Sequence, residues 1–449
     1  MVICEASTND QIQTTSIEYP VTGIRATSIM KIAFFVDRFP YLSETFILNQ
    51  VTGLLDRGHH VDIYARRIEN QPLAHSEVEH YNLLNRTFQH GHCSPAMPKN
   101  KFLRLTKALG LIATNLLNGR PHPLLNSLNV LKYGKKAASL RLFFDASIFI
   151  GDGQKYDIVH CHFGPNGNLA VLLKAIGAIK GKVVTTFHGY DITQYLRKHG
   201  NNVYHDLFYS GDLFLPISER WKRKLIELGC REEKIIVHHM GIDTEKFLFS
   251  PRRPDENGAV KIISTARLVE KKGIQYSVKA IARVVKKFPN IEYGIVGDGP
   301  LRGEIEDLIN ELELKGRVRM YGWMKQEEVI ELLKQSHVFL APSVTSKEGD
   351  QEGIPVALME AMAQGLPVLS TDHSGIPELV QDGTSGFLVP ERDVEALANK
   401  LEYLVEHPEI WPEMGKAGRD YVKKHYDIHR LNDRLVEIFQ PLLDRDDIH

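Results

Sequence analysis

Short apolar runs, broken by Gly and Pro and separated by longer amphipathic stretches, recur along the chain. Residues 31–36 (KIAFFV) read as a buried strand. Residues 37–42 are a turn, and Ser43 then offers an N-cap with Glu44 in the favourable first turn of a helix running to Leu55. Gly58 closes that helix and residues 61–65 form the next strand. Strand, helix and strand in this order make a βαβ unit, so a parallel sheet is expected. The rhythm continues through strands at 157–163 (DIVHCHF), 182–187 (KVVTTF), 213–216 and 235–238. At residues 247–258 Pro, Gly and charge gather without periodicity, which reads as a domain linker. The pattern then restarts with strands at 260–264, 291–296, 318–321, 338–340, 367–370 and 387–389, and ends in helices at 394–404 and 432–443. The fold class is α/β, with two domains: 30–246 and 259–427, with residues 428–449 as a terminal helical piece.

The length of 449 residues supports two or three domains with ample cores. Lys plus Arg number 55 against 56 Asp plus Glu, so a net charge of −1 gives no global attraction to nucleic acid. Cys4, Cys93, Cys161 and Cys230 are scattered, which fits a reducing cytoplasm and argues against a disulfide framework or a zinc site. No apolar run is long enough for a transmembrane helix. Residues 1–29 are polar and are expected to be a disordered extension, and Met30 directly precedes the first strand. One region breaks the balance of charge. Residues 80–144 hold ten Lys and Arg and no Asp or Glu, with Phe102, Leu105, Leu109, Ile112 and Leu116 at helical spacing. A basic amphipathic segment of this kind suits an anionic membrane surface or a pyrophosphate-linked lipid; the alternative is a solvated helix packed by its apolar side.

The candidate chemistry centres on residues 341–378, APSVTSKEGDQEGIPVALMEAMAQGLPVLSTDHSGIPE. A strand ends at Pro342, a polar loop follows to Gly353, and Pro355 opens an apolar helix that Gly365 closes. A second strand and helix start follow, so two helix N-termini, each suited to an anion, lie side by side. Glu352 precedes the first helix and Glu360 lies within it. Fully helical spacing would separate them by about 12 Å along the axis. Paired carboxylates that cleave one glycosidic bond sit roughly 5 to 9.5 Å apart. The wider spacing suits the two ends of a nucleotide-diphosphate sugar, with the anion between them.

Glu352 to Glu360 resembles the E-x7-E motif of glycosyltransferase family 4, the retaining enzymes of GT-B fold. GDQEGIPVALMEAMA and HSGIPELV are most similar to its colanic-acid and exopolysaccharide branch. Further matches follow in order from about Met30 to about Tyr426. His188-Gly189-Tyr190-Asp191 resembles the inter-domain histidine motif, Met240-Gly241-Ile242-Asp243 the end of the first domain, and Ala266–Gly273 (ARLVEKKG) the basic motif that holds the donor diphosphate. The first loop departs from the family's Gly-rich turn. Gly297-Asp298-Gly299-Pro300 is not G-x-G-x-x-G, so a dinucleotide site is not indicated.

The resemblance implies two Rossmann-like domains facing across a cleft, with the last helix crossing back to the first domain. It implies transfer of a hexose, with retention, from a nucleotide-diphosphate sugar to a saccharide or polyprenyl-pyrophosphate-linked acceptor in exopolysaccharide biosynthesis. Arg267 and Lys272, aided by Lys271 and the Gly353 and Ile354 N–H groups, would hold the diphosphate, as an Arg fork and a Lys point charge can. Glu360 would bind the ribose, Gly322 the base, and Glu352 the sugar hydroxyls while favouring an oxocarbenium-like state. His188 would face the sugar from the other domain. Ser43, Glu44, Thr45 and Asp191 are the candidate acceptor contacts. No cofactor or metal is implied, since the D-x-D at Asp444 and Asp446 lies in a polar tail and His160 with His162 lacks a third ligand. The expected location is the cytoplasm, as a peripheral protein on the cytoplasmic membrane face. An epimerase or glucan synthase on the same fold, or a non-catalytic nucleotide-sugar scaffold, is the alternative.

Overall fold

The computed structural model describes residues 28–41, 44–69, 76–90, 97–117, 122–149, 155–256 and 258–443. Residues 1–27 of the expected extension, Ser43, Arg120 and the D-x-D tail lie outside the described residues. Strands β1 (Lys31–Phe39), β2 (His60–Ile68), β3 (Thr87–Gln89), β4 (Lys155–His162), β5 (Lys180–Phe187) and β6 (Leu213–Pro216) form one sheet. Strands β7 (Val260–Thr265), β8 (Ile291–Val296), β9 (Val318–Gly322), β10 (Val338–Ala341), β11 (Val368–Thr371) and β12 (Gly386–Val389) form the second. The orders are β3-β2-β1-β4-β5-β6 and β12-β11-β10-β7-β8-β9, with parallel pairing throughout. Read from its other edge, the second sheet has the order of the first. Each order reverses beside its first strand, β1 or β7. Open α/β sheets bind ligands beyond the C-terminal strand ends at such a reversal.

Alternation along each strand builds two cores per sheet. Ile32, Phe34 and Val36 enter one cluster and Ala33 and Phe35 the other. In the second sheet Ile262, Leu340 and Leu369 face one way, and Ile263, Phe339 and Val368 the other. The final helix, Ile428–Leu443, follows the second domain in sequence but seals the first. Its Leu435 and Phe439 join Ile32 and Phe34. Asn432 Nδ2 donates to Asn49 O at 3.1 Å, and Arg57 pairs with Asp433 at 2.7 Å.

Some local readings change. β1 runs past Val36 to Phe39, because Arg38 and Phe39 still pair with Arg67 and Ile68 of β2. The first helix spans Thr45–Asp56, so Glu44 occupies the N-cap position rather than the first turn, and its side chain makes no cap bond. Residues 235–238 form only a bridge from Ile235 to Phe214, extended by Ile236 N to Phe214 O and His238 N to Pro216 O.

The 247–258 stretch is not an open linker. Phe247 is buried in the second domain's core, and Ser250 N and Arg252 Nη2 donate to Gln364 O at 3.2 and 2.9 Å. The crossing lies earlier, where Ile242 pairs in parallel with Asp427. Ile242 N meets Tyr426 O at 3.0 Å and Ile428 N meets Ile242 O at 2.8 Å. Both chain crossings therefore run side by side, joined by an isolated parallel bridge.

Candidate functional site

Helix Val356–Ala363 follows β10 through a polar loop. Ala, Leu, Met and Glu favour it intrinsically. Pro355, at φ −66° and ψ 120°, is its N-cap, and Gly365 at φ +84° ends it. Glu352 sits at the end of the loop, buried, with a carboxylate oxygen 3.0 Å from Lys272 Nζ. Burial disfavours its charge, but Lys272 and then Lys271 outweigh it and hold its pKa down to about 2. Burial also holds Lys272 below the usual lysine range, against the pull of Glu352. Lys271 pairs with Asp350 at 3.0 Å. Arg267 lines the same cleft and forms no ion pair with a described residue.

Two residues whose role the sequence reading missed, His373 and Ser374, hold the Glu352 backbone, and a third, Glu391, holds His373. Glu352 N–H donates to His373 Nε2 at 3.1 Å, and Ser374 Oγ donates to Glu352 O at 2.5 Å. Since Nε2 accepts, the ring proton is on Nδ1, which donates to Glu391 Oε1 at 2.6 Å. Glu391 also accepts from Thr345 N at 2.8 Å. No local pattern marks these partners: the imidazole and Glu391 come from the chain before and after β12, and only the fold joins them to the loop.

Glu360 lies on the helix and borders the cleft. Burial raises its carboxyl to about 7, against a hydrogen bond from Gln326. Gly353 and Ile354 also line the cleft, but both precede the N-cap. The leading helical N–H groups are those of Val356 and Ala357, which border the same space. Gly322 is corrected: its carbonyl accepts from Gly297 N at 2.8 Å, within the sheet. The cleft is lined instead by Trp323 and Met324.

The opposite wall is built from the ends of β1, β4 and β5. His188 Nε2 meets His162 Nδ1 at 3.0 Å, and His160 Nε2 meets Thr186 Oγ1 at 2.8 Å. Burial, with His160 nearby, lowers His188 to about 3, so its ring is neutral. Asp191 is not an acceptor contact. It is fully buried and its carboxylate accepts from Gly164 N at 2.9 Å and from His188 N and Gly189 N at 3.0 Å. It fixes the histidine loop. Glu44 and Thr45 do line the cleft.

The walls meet at the histidine loop. A Cβ on Gly353 would stand 2.6 Å from His188 O, and one on Gly189 would stand 3.3 Å from Gln351 O. Nearby, the Glu378 carboxylate accepts from Glu219 N at 2.9 Å and Arg220 N at 3.0 Å, capping helix Glu219–Glu227 of the first domain. The space between the domains is about 2320 Å³. Among the described residues no group of three or more His, Cys, Asp or Glu gathers as a metal site. The arrangement gathers Arg267, Lys271 and Lys272, a charged carboxylate beside them, and a carboxyl raised to about 7 further along the helix, around one cleft.

Comparison with known proteins agrees with this geometry. The family described as glycosyl transferases group 1 matches residues 246–421, and glycosyltransferase family 4 matches residues 43–246. WcaL of Escherichia coli, named for colanic acid biosynthesis as a glycosyltransferase, is 38% identical over 421 residues, 92% of this chain and 100% of its own. The amylovoran biosynthesis glycosyltransferase AmsK of Erwinia amylovora is 38% identical over 417 residues, with the same coverage of 92% and 100%. Among solved structures, HepE of Anabaena in complex with UDP superposes with a TM-score of 0.65 at 16% identity, over 92% of this chain and 100% of that one. Sucrose-phosphate synthase of Thermosynechococcus elongatus gives 0.66 at 19% identity, over 92% and 99%. Both share the two-domain GT-B architecture.

Proposed function

The chain belongs to the group 1 glycosyltransferases of exopolysaccharide biosynthesis, and on that premise we propose that it moves a hexose from a nucleotide-diphosphate sugar to a saccharide or polyprenyl-pyrophosphate-linked acceptor, with retention at the anomeric carbon. The observation that carries this reading is the Glu352–Lys272 pair, 3.0 Å apart, ahead of a helix N-terminus and beside Arg267, which has no ion pair among the described residues. An incoming diphosphate draws Lys272 and Arg267 and accepts from the Val356 and Ala357 N–H groups. Lys272 then shares its charge, and the Glu352 carboxylate is left less balanced, beside the sugar. A negative group in a dry site stabilises the positive charge that grows at the anomeric carbon as the diphosphate leaves. With its pKa near 7, Glu360 can both accept from and donate to ribose hydroxyls. His188, with Nε2 taken by His162, offers Nδ1 to the sugar. Contact between the two walls keeps water from competing with the acceptor. The anomeric configuration of the product, read by NMR, tests retention.

A thermal-shift panel of UDP, GDP, ADP and their sugars tests the donor site. Ligand at 100 times its Kd adds about 2.7 kcal/mol, a readable shift. A shift selective for one nucleotide supports the reading and fixes the base; no shift with any of them removes it. Arg267→Ala should lower both turnover and donor affinity, each by roughly 10- to 100-fold, because it removes a charge-assisted contact to the diphosphate. Nucleotide affinity equal to that of the native protein would take Arg267 out of the diphosphate site.

We further propose that the enzyme works at the cytoplasmic face of an anionic membrane. No helix of the described residues is long and apolar enough to cross one. On helix Lys101–Leu117, Phe102, Leu105, Leu109 and Leu116 are all at least half exposed, while Ala108 faces the core. Ile112 of the same stripe packs against the core with Leu111 and Ala108, so one side of the helix is anchored while Phe102, Leu105, Leu109 and Leu116, flanked by Lys101, Arg104 and Lys107, stay outward. Each cation near an anionic surface contributes about 1 kcal/mol, screened by salt. The protein should float with vesicles containing phosphatidylglycerol at low salt and release at high salt. Phe102→Ser with Leu105→Ser should abolish flotation. Equal recovery of the native protein with and without anionic lipid would remove this proposal.

A further inference from the structure

Glu44 stands apart from the other acceptor-side residues. It occupies the N-cap position of helix Thr45–Asp56, yet its side chain makes no cap bond. Instead it lines the cleft, with Oε2 closed off from solvent and without a hydrogen-bond partner among the described residues. A buried carboxylate oxygen with no donor is costly, and native structures seldom keep one idle. Phe46, two residues on, packs its ring 4.8 Å from that of His188, so Glu44 is on the wall that faces the donor site. The charged groups around it are Asp37 and Arg38 from the end of β1, and Arg267 from the loop after β7. Asp37 is itself tied to Arg66 at 3.0 Å.

We infer that Glu44 accepts the hydrogen bond, and then the proton, of the acceptor sugar's attacking hydroxyl. This inference rests on the glycosyl-transfer reading of the cleft. In the step, the acceptor oxygen bonds to the anomeric carbon on the same face from which the diphosphate departs, as retention requires, and the bond from that carbon to the diphosphate oxygen breaks; the proximity of Glu44 to Arg267 suits that face. The electron pair leaves on the diphosphate, next to Arg267 and Lys272. The hydroxyl proton passes to Glu44 and is lost to water when the cleft opens. Burial, then Asp37, raises the Glu44 carboxyl to about 7, against the pull of Arg267 and Arg38. A base of that pKa near neutral pH is well matched to proton transfer from an alcohol whose acidity rises as it attacks. Glu44 must be ionised to act, so the rate should rise with pH through about 7 and then level.

The test uses water in place of the sugar hydroxyl: slow hydrolysis of the sugar nucleotide chosen by the thermal-shift panel, measured from pH 5.5 to 8.5. The native protein should show the rising limb. Glu44→Gln should hydrolyse about 100-fold more slowly, with a flat profile, and nucleotide affinity within threefold of native. Glu44→Asp should keep part of the rate and the limb. The Gln variant removes a buried ionisable group, so its melting temperature at pH 8 should not fall. Glu44→Gln with a near-native rate and an unchanged limb would overturn the inference. So would a loss of nucleotide binding along with activity, since that marks a structural role. Failure of the underlying glycosyl-transfer reading looks different: the native protein itself would show neither a nucleotide shift nor hydrolysis.

Discussion

Glu352→Gln should lower transfer about 10³-fold while nucleotide binding survives. The Gln keeps the shape and loses the charge, so the loss falls on the step in which positive charge builds on the sugar; removing one well-placed electrostatic group from a dry site costs about 10²–10³ in rate. The free protein should also be less stable. Glu352 and Lys272 have side chains only 8% and 18% exposed, and breaking such a pair leaves a buried ammonium alone, a cost of roughly 3 kcal/mol. A diphosphate restores a counter-charge to Lys272, so the nucleotide-induced melting shift should be larger in the variant than in the native protein.

The pH dependence has a definite sign. The Glu352 carboxyl is depressed from the ordinary 4.5 to about 2, so its stabilisation is complete above about 4.5 and fades as pH falls toward 2. The stability gap between native protein and variant should close over that window. Single-turnover transfer with thermal melts, with and without nucleotide, measures all of this. Turnover within tenfold of native would remove Glu352 from its role, whatever the melts show.

What could be seen in the sequence was what is local. The strand and helix rhythm, the Pro355 to Gly365 helix and the two glutamates eight positions apart are short-range patterns, and the fold places Glu352, Glu360, Arg267, Lys272 and His188 around one cleft. Pairings across the chain could not be seen. Asp191 read as an acceptor contact because its three backbone donors, from Gly164 and its own turn, appear only in the fold. Residues 247–258 resembled a linker because Arg252 finds its buried partners at Lys334 and Gln364, more than eighty residues away. Gly322 looked free to meet a base, but its carbonyl accepts from Gly297, just past the end of β8, and it does not line the cleft. The clearest case is His373: nothing in D-H-S-G says that the ring accepts from the Glu352 N–H while donating to Glu391. Composition gave the basic amphipathic helix, but only the packing told which side of it faces out.

Gly353→Ala should lower transfer by about 100-fold through a contact between backbones rather than through chemistry. An added Cβ would stand 2.4 Å from Ile217 Cδ1 and 2.6 Å from His188 O. Ile217 can turn its methyl away, but the carbonyl is fixed by the Asp191 clamp on the same loop. The walls carrying His188 and Glu352 must then separate by several tenths of an ångström. Misplacement of about 1 Å between reacting groups costs on the order of 10² in rate. The gap also admits water, so the ratio of donor hydrolysis to transfer should rise. Nucleotide affinity should stay within a few-fold of native, because Arg267, Lys272 and the leading N–H groups all belong to the second domain. Gly303→Ala is the control. It lies in helix Arg302–Glu311 with nothing within 4 Å of its added Cβ, so it should leave activity unchanged and stability equal or slightly higher. Both variants add a methyl to the second domain, one against the facing loop and one into open space on a helix. If Gly353→Ala turned over at the native rate, the close approach of the two loops would be incidental, and catalysis would need no contact at that point.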